Sequence, residues 1–147
     1  MPYTPRLPRL LLVEDSDEDA ATMSEALDLS GLAADLHRVT SGDACLELLR
    51  EEAAPQPVLV IMDLNTPGID GRAALVLIKT DERLKKLPVI VVSTSGNPRD
   101  VAFCFAAGAN AYHVKPVRYP EHLRNMADLL TYWLGKVTLP AHAQVQP

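Results

Sequence analysis

A chain of 147 residues suffices for one domain and is too short for two ordinary ones. Its 48% hydrophobic and 22% charged residues give the balance of a globular protein, and a net charge of −5 with scattered basic residues argues against nucleic-acid binding. No apolar run approaches the ~20 residues that span a bilayer, and the opening MPYTPRLPR is no secretory signal, so the expected location is cytoplasmic.

In chain order, residues 1–8 carry three prolines and read as a flexible leader. Arg9–Glu14 (RLLLVE) is the first apolar strand and ends on consecutive acids, Glu14 and Asp15. Ser16 caps a helix whose first turn holds Asp17, Glu18 and Asp19, as the helix dipole prefers, and Gly31 stops it. Leu32–Val39 alternates apolar with polar residues, as an edge strand with one wet face does. Ser41 opens a second helix carrying Cys45, Leu48 and Leu49, which the Pro55–Pro57 pair closes. Val58–Met62 is a continuous, mostly β-branched run that ends on Asp63, with Asn65, Pro67 and Gly68 turning the chain at once. Such a run bounded by turn residues reads as a central strand buried on both faces. A third helix covers 73–80. Leu87–Ser93 is another buried strand, ending on Ser93, Thr94 and Ser95. Asn97–Pro98 starts a fourth helix that runs to Gly108. Ala109–Val114 is the fifth strand and ends on Lys115–Pro116; the last and longest helix runs from Tyr119 to Val137. The tail, 138–147, reads as unstructured. Strict alternation with short connections implies one α/β domain over 9–137, a doubly wound (βα)5 fold with a parallel sheet, right-handed crossovers and helices on both faces.

In such a sheet the carboxyl ends of all strands share one rim, where open α/β sheets carry their chemistry. Glu14, Asp15, Asp63, Ser93 and Lys115 arrive there from four of the five strands. An acid at a strand end is often only a turn cap; four polar strand ends converging is a site. Two carboxylates about 4 Å apart repel by roughly 4 kcal/mol at an effective dielectric near 20. Three acids against one lysine therefore call for a divalent cation, and an all-oxygen set suits Mg²⁺. Asp15 and Asp63 would ligate directly, Glu14 through water, and the Asn65 carbonyl would complete the protein's share. Lys115 and Ser93 offer a point charge and a hydroxyl to a phosphoryl group, and an aspartate is a competent nucleophile for one. The expected chemistry is phosphoryl transfer onto Asp63.

At these residues the chain resembles the receiver domains of two-component response regulators, the chemotaxis-regulator type of fold. The resemblance spans about Arg9 to Leu134 and rests on Glu14–Asp15, DLNTPGIDG around Asp63, the Ser93 hydroxyl and AGANAYHVKP jointly. It implies a flavodoxin-like sheet of order 2-1-3-4-5 and a phosphoacceptor, Asp63, served by a partner histidine kinase. It also implies a phosphoryl contact from Lys115, a cis Lys115–Pro116 bond, and coupled switch residues Ser93 and Tyr112. Thr94 stands where receivers often carry Ala or Gly, and its bulk is expected to slow access to the phosphate pocket. No output domain follows, so a stand-alone receiver is expected that signals by interaction and catalyses only its own phosphorylation and dephosphorylation. The long final helix with Trp133 is similar to stand-alone receivers that partner bacterial phytochromes.

The fourth helix, VAFCFAAGA over 101–109, is apolar on every side, and the last helix carries a second apolar stripe of His122, Met126, Leu129 and Trp133. Val101, Phe105, Met126, Leu129 and Trp133 are therefore the expected interface of a homodimer through the fourth helix, fifth strand and fifth helix. Cys45 and Cys104 lack CxxC spacing and read as buried, inert thiols; His37, His113, His122 and His142 show no ligand spacing. Three other functions compete. Asp15-Ser16-Asp17 matches the DxD of haloacid-dehalogenase-like phosphatases but leaves Asp63 without a role. A flavodoxin-like FMN carrier would need a first turn that welcomes phosphate, which this acidic one repels. A binding module that is never phosphorylated leaves the acid–hydroxyl–lysine set unexplained.

Overall fold

The computed structural model describes residues 7–53, 55–66 and 70–140. Most of the expected leader, the Pro67–Ile69 part of the turn after Asp63, and the tail beyond Pro140 lie outside them. Ten elements alternate: β1 (Arg9–Val13), α1 (Asp17–Ser30), β2 (Asp35–Val39), α2 (Gly42–Arg50), β3 (Leu59–Met62), α3 (Gly71–Thr80), β4 (Val89–Ser93), α4 (Pro98–Ala107), β5 (Ala111–Val114) and α5 (Tyr119–Gly135). All strand pairs are parallel and the sheet order is β2-β1-β3-β4-β5, the flavodoxin-like order.

The apolar runs hide a period of two, because successive strand side chains point to opposite faces. Leu11, Val13, Val60, Met62, Val89 and Val91 join Cys45 and Leu49 of α2, Leu75 and Ile78 of α3 and Cys104 of α4 on one face. Leu10, Leu12, Leu59, Ile61, Ile90 and Val92 join Met23 and Ala26 of α1 and Met126, Leu129 and Leu130 of α5 on the other. Both thiols are buried, and burial pushes Cys45 up to about 12 and Cys104 upward.

The structure corrects three expectations. Met126 and Leu129 are 1% and 2% exposed, so they are core residues and not interface. The second apolar stripe of α5 has an internal reason: α5 lies against the sheet and also packs along α1, so two faces need covering. Trp133 is half-buried against the same core, with Tyr132 edge-on to it at 5.6 Å between ring centroids. In the described part of the tail, 138–140, expected to be unstructured, Leu139 is buried, and Pro140 lies beside Pro57, Val58 and Pro88 at the amino ends of β3 and β4. A leucine removed from water contributes about 1.5–3 kcal/mol, enough to hold a short segment down. The peptide bond before Pro116 is trans, since no cis bond occurs among the described residues. The trans amide is the lower-energy isomer, and with it Lys115 still reaches its partners.

At the end opposite the carboxyl rim, Lys79 of α3 donates to the carbonyls of Leu87 (2.7 Å) and Lys85 (3.2 Å) and to Asn110 Oδ1 (3.1 Å). Asn110 Oδ1 also accepts the Val89 N–H. Gly108 ends α4 with φ +109, and a Cβ there would meet the Lys79 stem at 2.9 Å.

Candidate functional site

Each rim residue sits just past its strand and is still held by the ladder. The Glu14 N–H donates to Val39 O (3.0 Å), Asp63 N–H to Val13 O (3.0 Å) and Lys115 N–H to Ser93 O (2.7 Å). Backbone bonds of this kind fix where the side chains start. α3 closes in on the same rim: Gly71 packs so tightly that a Cβ there would lie 2.4 Å from the Asp63 carbonyl oxygen and 2.6 Å from Leu64 Cα. β2, which reaches the rim without an acid of its own, supplies Arg38. Its Nε donates to the Glu14 carbonyl (2.8 Å) and its Nη1 to Asp17 (2.8 Å). That pairing holds Asp17 outward in solvent, so the DxD arrangement of a phosphatase is not built.

Glu14, Asp15 and Asp63 each bring a carboxylate oxygen to within 4.8 Å of one another. Lys115 Nζ donates to Glu14 Oε1 (2.8 Å) and Asp19 Oδ2 (2.7 Å) and stands 3.6 Å from Asp63 Oδ2. Its side chain is 7% exposed. Burial raises the Glu14 carboxyl to about 7 against the pull of Lys115, with nearby Asp63 adding to the rise. Burial opposes the Lys115 charge, but its hydrogen bonds to Asp19 and Glu14 outweigh that and hold the ammonium more firmly protonated than usual. Excess negative charge and hard oxygen donors at this spacing fit a divalent cation.

Ser93 is fully buried and its Oγ accepts the Ser95 N–H at 3.1 Å. Thr94 beside it is exposed. The Asn65 N–H donates to Asp63 Oδ1 at 3.2 Å. The Tyr112 hydroxyl donates to the Ser95 carbonyl at 2.7 Å. The Ser95 hydroxyl donates to Asp100 (2.5 Å), which Arg72 of α3 also holds (2.9 Å), and these two bonds keep the Asp100 carboxyl below its ordinary range. The β4–α4 connection is thus tied to β5 and to α3.

The expected residues Glu14, Asp15, Asp63 and Lys115 are brought together; Ser93, at the end of β4, and Tyr112, in β5, are both tied to Ser95 of the adjoining connection. Asp19, Arg38 and Ser95 are additions that the sequence does not announce. His122, which shows no ligand spacing in the sequence, is 7% exposed, its Nδ1 has no partner among the described residues, and burial lowers its pKa. It lines a small cavity behind the site with Glu14, Asp19, Asp63 and Lys115.

Known proteins resemble this chain in sequence and in fold. The family model described as "Response regulator receiver domain" matches residues 10–128. The response regulator Rcp1 of Synechocystis sp. is 35% identical over 136 residues, covering 90% of this chain and 92% of Rcp1. The crystal structure of the Mn²⁺-bound form of Rcp1 superposes with a TM-score of 0.87 at 34% identity, over 90% of this chain and 99% of that one. A structure of the phosphorylated cyanobacterial phytochrome response regulator RcpA also gives 0.87, at 33% identity, over 92% and 99% of the two chains. The bacteriophytochrome response regulator AtBRR gives 0.69 at 29% identity, over 88% and 96%.

Proposed function

The chain belongs to the response regulator receiver domain family, and from that premise we propose that Asp63 accepts a phosphoryl group from a partner sensor histidine kinase with Mg²⁺ at the acidic cluster. The observation that carries this reading is the Asp63 carboxylate itself, grouped within 4.8 Å with oxygens of Glu14 and Asp15 and 3.6 Å from the Lys115 ammonium. Asp15 and Asp63 would hold the metal, Glu14 would support it through water, and the Asn65 carbonyl would complete the protein's ligands. When bound, the ion offsets the negative charge that a phosphoryl donor must approach. In the transfer the bond between phosphorus and the donor nitrogen breaks as one forms to an Asp63 oxygen, leaving an acyl phosphate. Lys115 contributes a fixed positive charge beside that oxygen, in a setting dry enough for it to count.

Ser93 gives up the Ser95 N–H when it turns its hydroxyl to the phosphoryl group. Ser95 is the residue whose carbonyl holds the Tyr112 hydroxyl, so the change passes to β5 and to the start of α4. Thr94 narrows the approach to the pocket. The similarity to phytochrome and bacteriophytochrome response regulators supports a phytochrome-type kinase as donor.

Incubation with acetyl phosphate and Mg²⁺ is the direct test: acid-stable label on Asp63 in the wild type, and none in Asp63→Asn. Label that survives in Asp63→Asn would remove the reading.

The output is a homodimer through the α4–β5 side. Phe105 and Val114 are 51% and 49% exposed there, with Val101, one helical turn before Phe105, half-buried alongside. Light scattering is expected to return the mass of two chains in beryllofluoride and Mg²⁺, and Phe105→Asp to return that of one. A single-chain mass for the beryllofluoride form of the wild type contradicts the dimer.

A further inference from the structure

A short ring of hydrogen bonds closes behind the acidic cluster. Lys115 Nζ donates to Glu14 Oε1, the Ser16 N–H donates to Glu14 Oε2, the Asp19 N–H donates to Ser16 Oγ, and Lys115 Nζ donates in turn to Asp19 Oδ2. The ring diverts Asp19 from an ordinary task. An acid three residues after a serine cap normally reaches back to the cap's own N–H. Here Glu14 has taken that N–H, at 3.2 Å, so the Asp19 carboxylate turns to Lys115 at 2.7 Å, the shortest of the three carboxylate contacts this ammonium makes among the described residues.

The three contacts are unequal in what they can go on doing. Glu14 and Asp63 belong to the cluster that would hold the metal, and Asp63 is the group to be modified. Asp19 lies outside that cluster and takes part in neither event. From this geometry we infer that Asp19 is a positioning residue for Lys115, holding its ammonium on the α1 side of the site so that one N–H remains aimed at the phosphoryl oxygens. The inference rests on Asp63 being the phosphoryl acceptor. Lysine has a long, flexible stem and three donors. With only Glu14 and Asp63 left to hold it, the ammonium settles between those two and closes the 3.6 Å gap to the acceptor oxygen. Asp19 keeps that gap open.

Labelling of the full chain by acetyl phosphate in saturating Mg²⁺ tests this. Asp19→Asn keeps the side-chain shape and the Ser16 cap while removing the charge. Its maximal labelling rate is expected to fall about tenfold, with the half-saturating acetyl phosphate concentration changed by less than about twofold. Mg²⁺ affinity, measured by calorimetry without any phosphoryl donor, is expected to stay within about twofold, because Asp19 is no ligand. Asp19→Glu restores most of the rate. In a Lys115→Ala background Asp19→Asn has no further effect, since what it positions is already gone. A wild-type rate in Asp19→Asn, a matching loss of Mg²⁺ affinity, or the same tenfold loss in the Lys115→Ala background would each overturn the assignment. Asp63→Asn, run in parallel, separates the two layers: label in that variant defeats the acceptor reading, whereas with label absent there the Asp19 variants alone decide whether Asp19 positions Lys115.

Discussion

Lys115→Ala is expected to lower the rate of phosphoryl uptake from acetyl phosphate by about 10²–10³-fold, the usual cost of removing one fixed charge or donor from a developing oxyanion. It should also extend the pH dependence of the metal-free protein's stability above pH 7. Lys115 is the cation that three carboxylates share, two of them at 2.7 and 2.8 Å. Without it, nothing in the ring opposes the repulsion between Glu14 and Asp63. The sign follows from Glu14, whose carboxyl is raised by burial from 4.5 to about 7 in the wild type. A raised carboxyl favours the fold while the proton stays on, and that advantage is lost as pH rises through the folded value. In Lys115→Ala the folded value rises further, so through this group the variant should lie near the wild type at pH 5 and lose up to about 1.4 kcal/mol more by pH 8. Mg²⁺ should recover part of that loss. Urea titrations at the two pH values, with and without Mg²⁺, measure it; equal losses at pH 5 and pH 8 would contradict this account of the clamp.

Gly71→Ala is the second large effect. The added methyl would stand 2.4 Å from the Asp63 carbonyl oxygen and 2.6 Å from Leu64 Cα, and both are backbone atoms that no side-chain rotation can move. Overpacking of this kind costs about 3 kcal/mol or more when the neighbours cannot yield. One of the displaced atoms belongs to Asp63, the proposed acceptor, and the other to the residue after it, so phosphoryl uptake should fall along with stability. Gly135→Ala is the control: its methyl would meet only Leu32 Cδ2 at an ordinary 3.8 Å, and the helix should gain up to about 1 kcal/mol. Equal urea midpoints for the two variants would show that α3 can back away from β3.

The fold is legible because strand and helix signals alternate and each functional side chain follows directly on an apolar run. Asp63 after Val58–Met62 and Lys115 after Ala109–Val114 can be read from that punctuation alone. What stays hidden depends on contacts between distant parts of the chain. Asp19 reads as an ordinary first-turn acid of α1, because nothing local says that its cap partner is taken by Glu14 or that Lys115, 96 residues away, lies within reach. Arg38 sits on a strand that brings no acid to the rim, yet it fixes the Glu14 carbonyl. Met126 and Leu129 read as interface because a helix on one sheet face needs one apolar stripe. That count omits α1, which buries the flank of α5. The order of β1 and β2 in the sheet decides this, and no residue of α5 encodes it.

The bracket that Lys79 forms at the far side of the sheet has a mechanical consequence. It ties the α3–β4 and α4–β5 connections together and wedges its own stem under Gly108, the residue on which α4 ends. That end of α4 is the fulcrum. The opposite end hangs from Ser95 and Asp100, on hydrogen bonds that reach back to the rim. If Ser93 turns as proposed, leverage is expected to run one way along the rod, displacing Asn97 and Pro98 most, Phe103 less and Ala107 least.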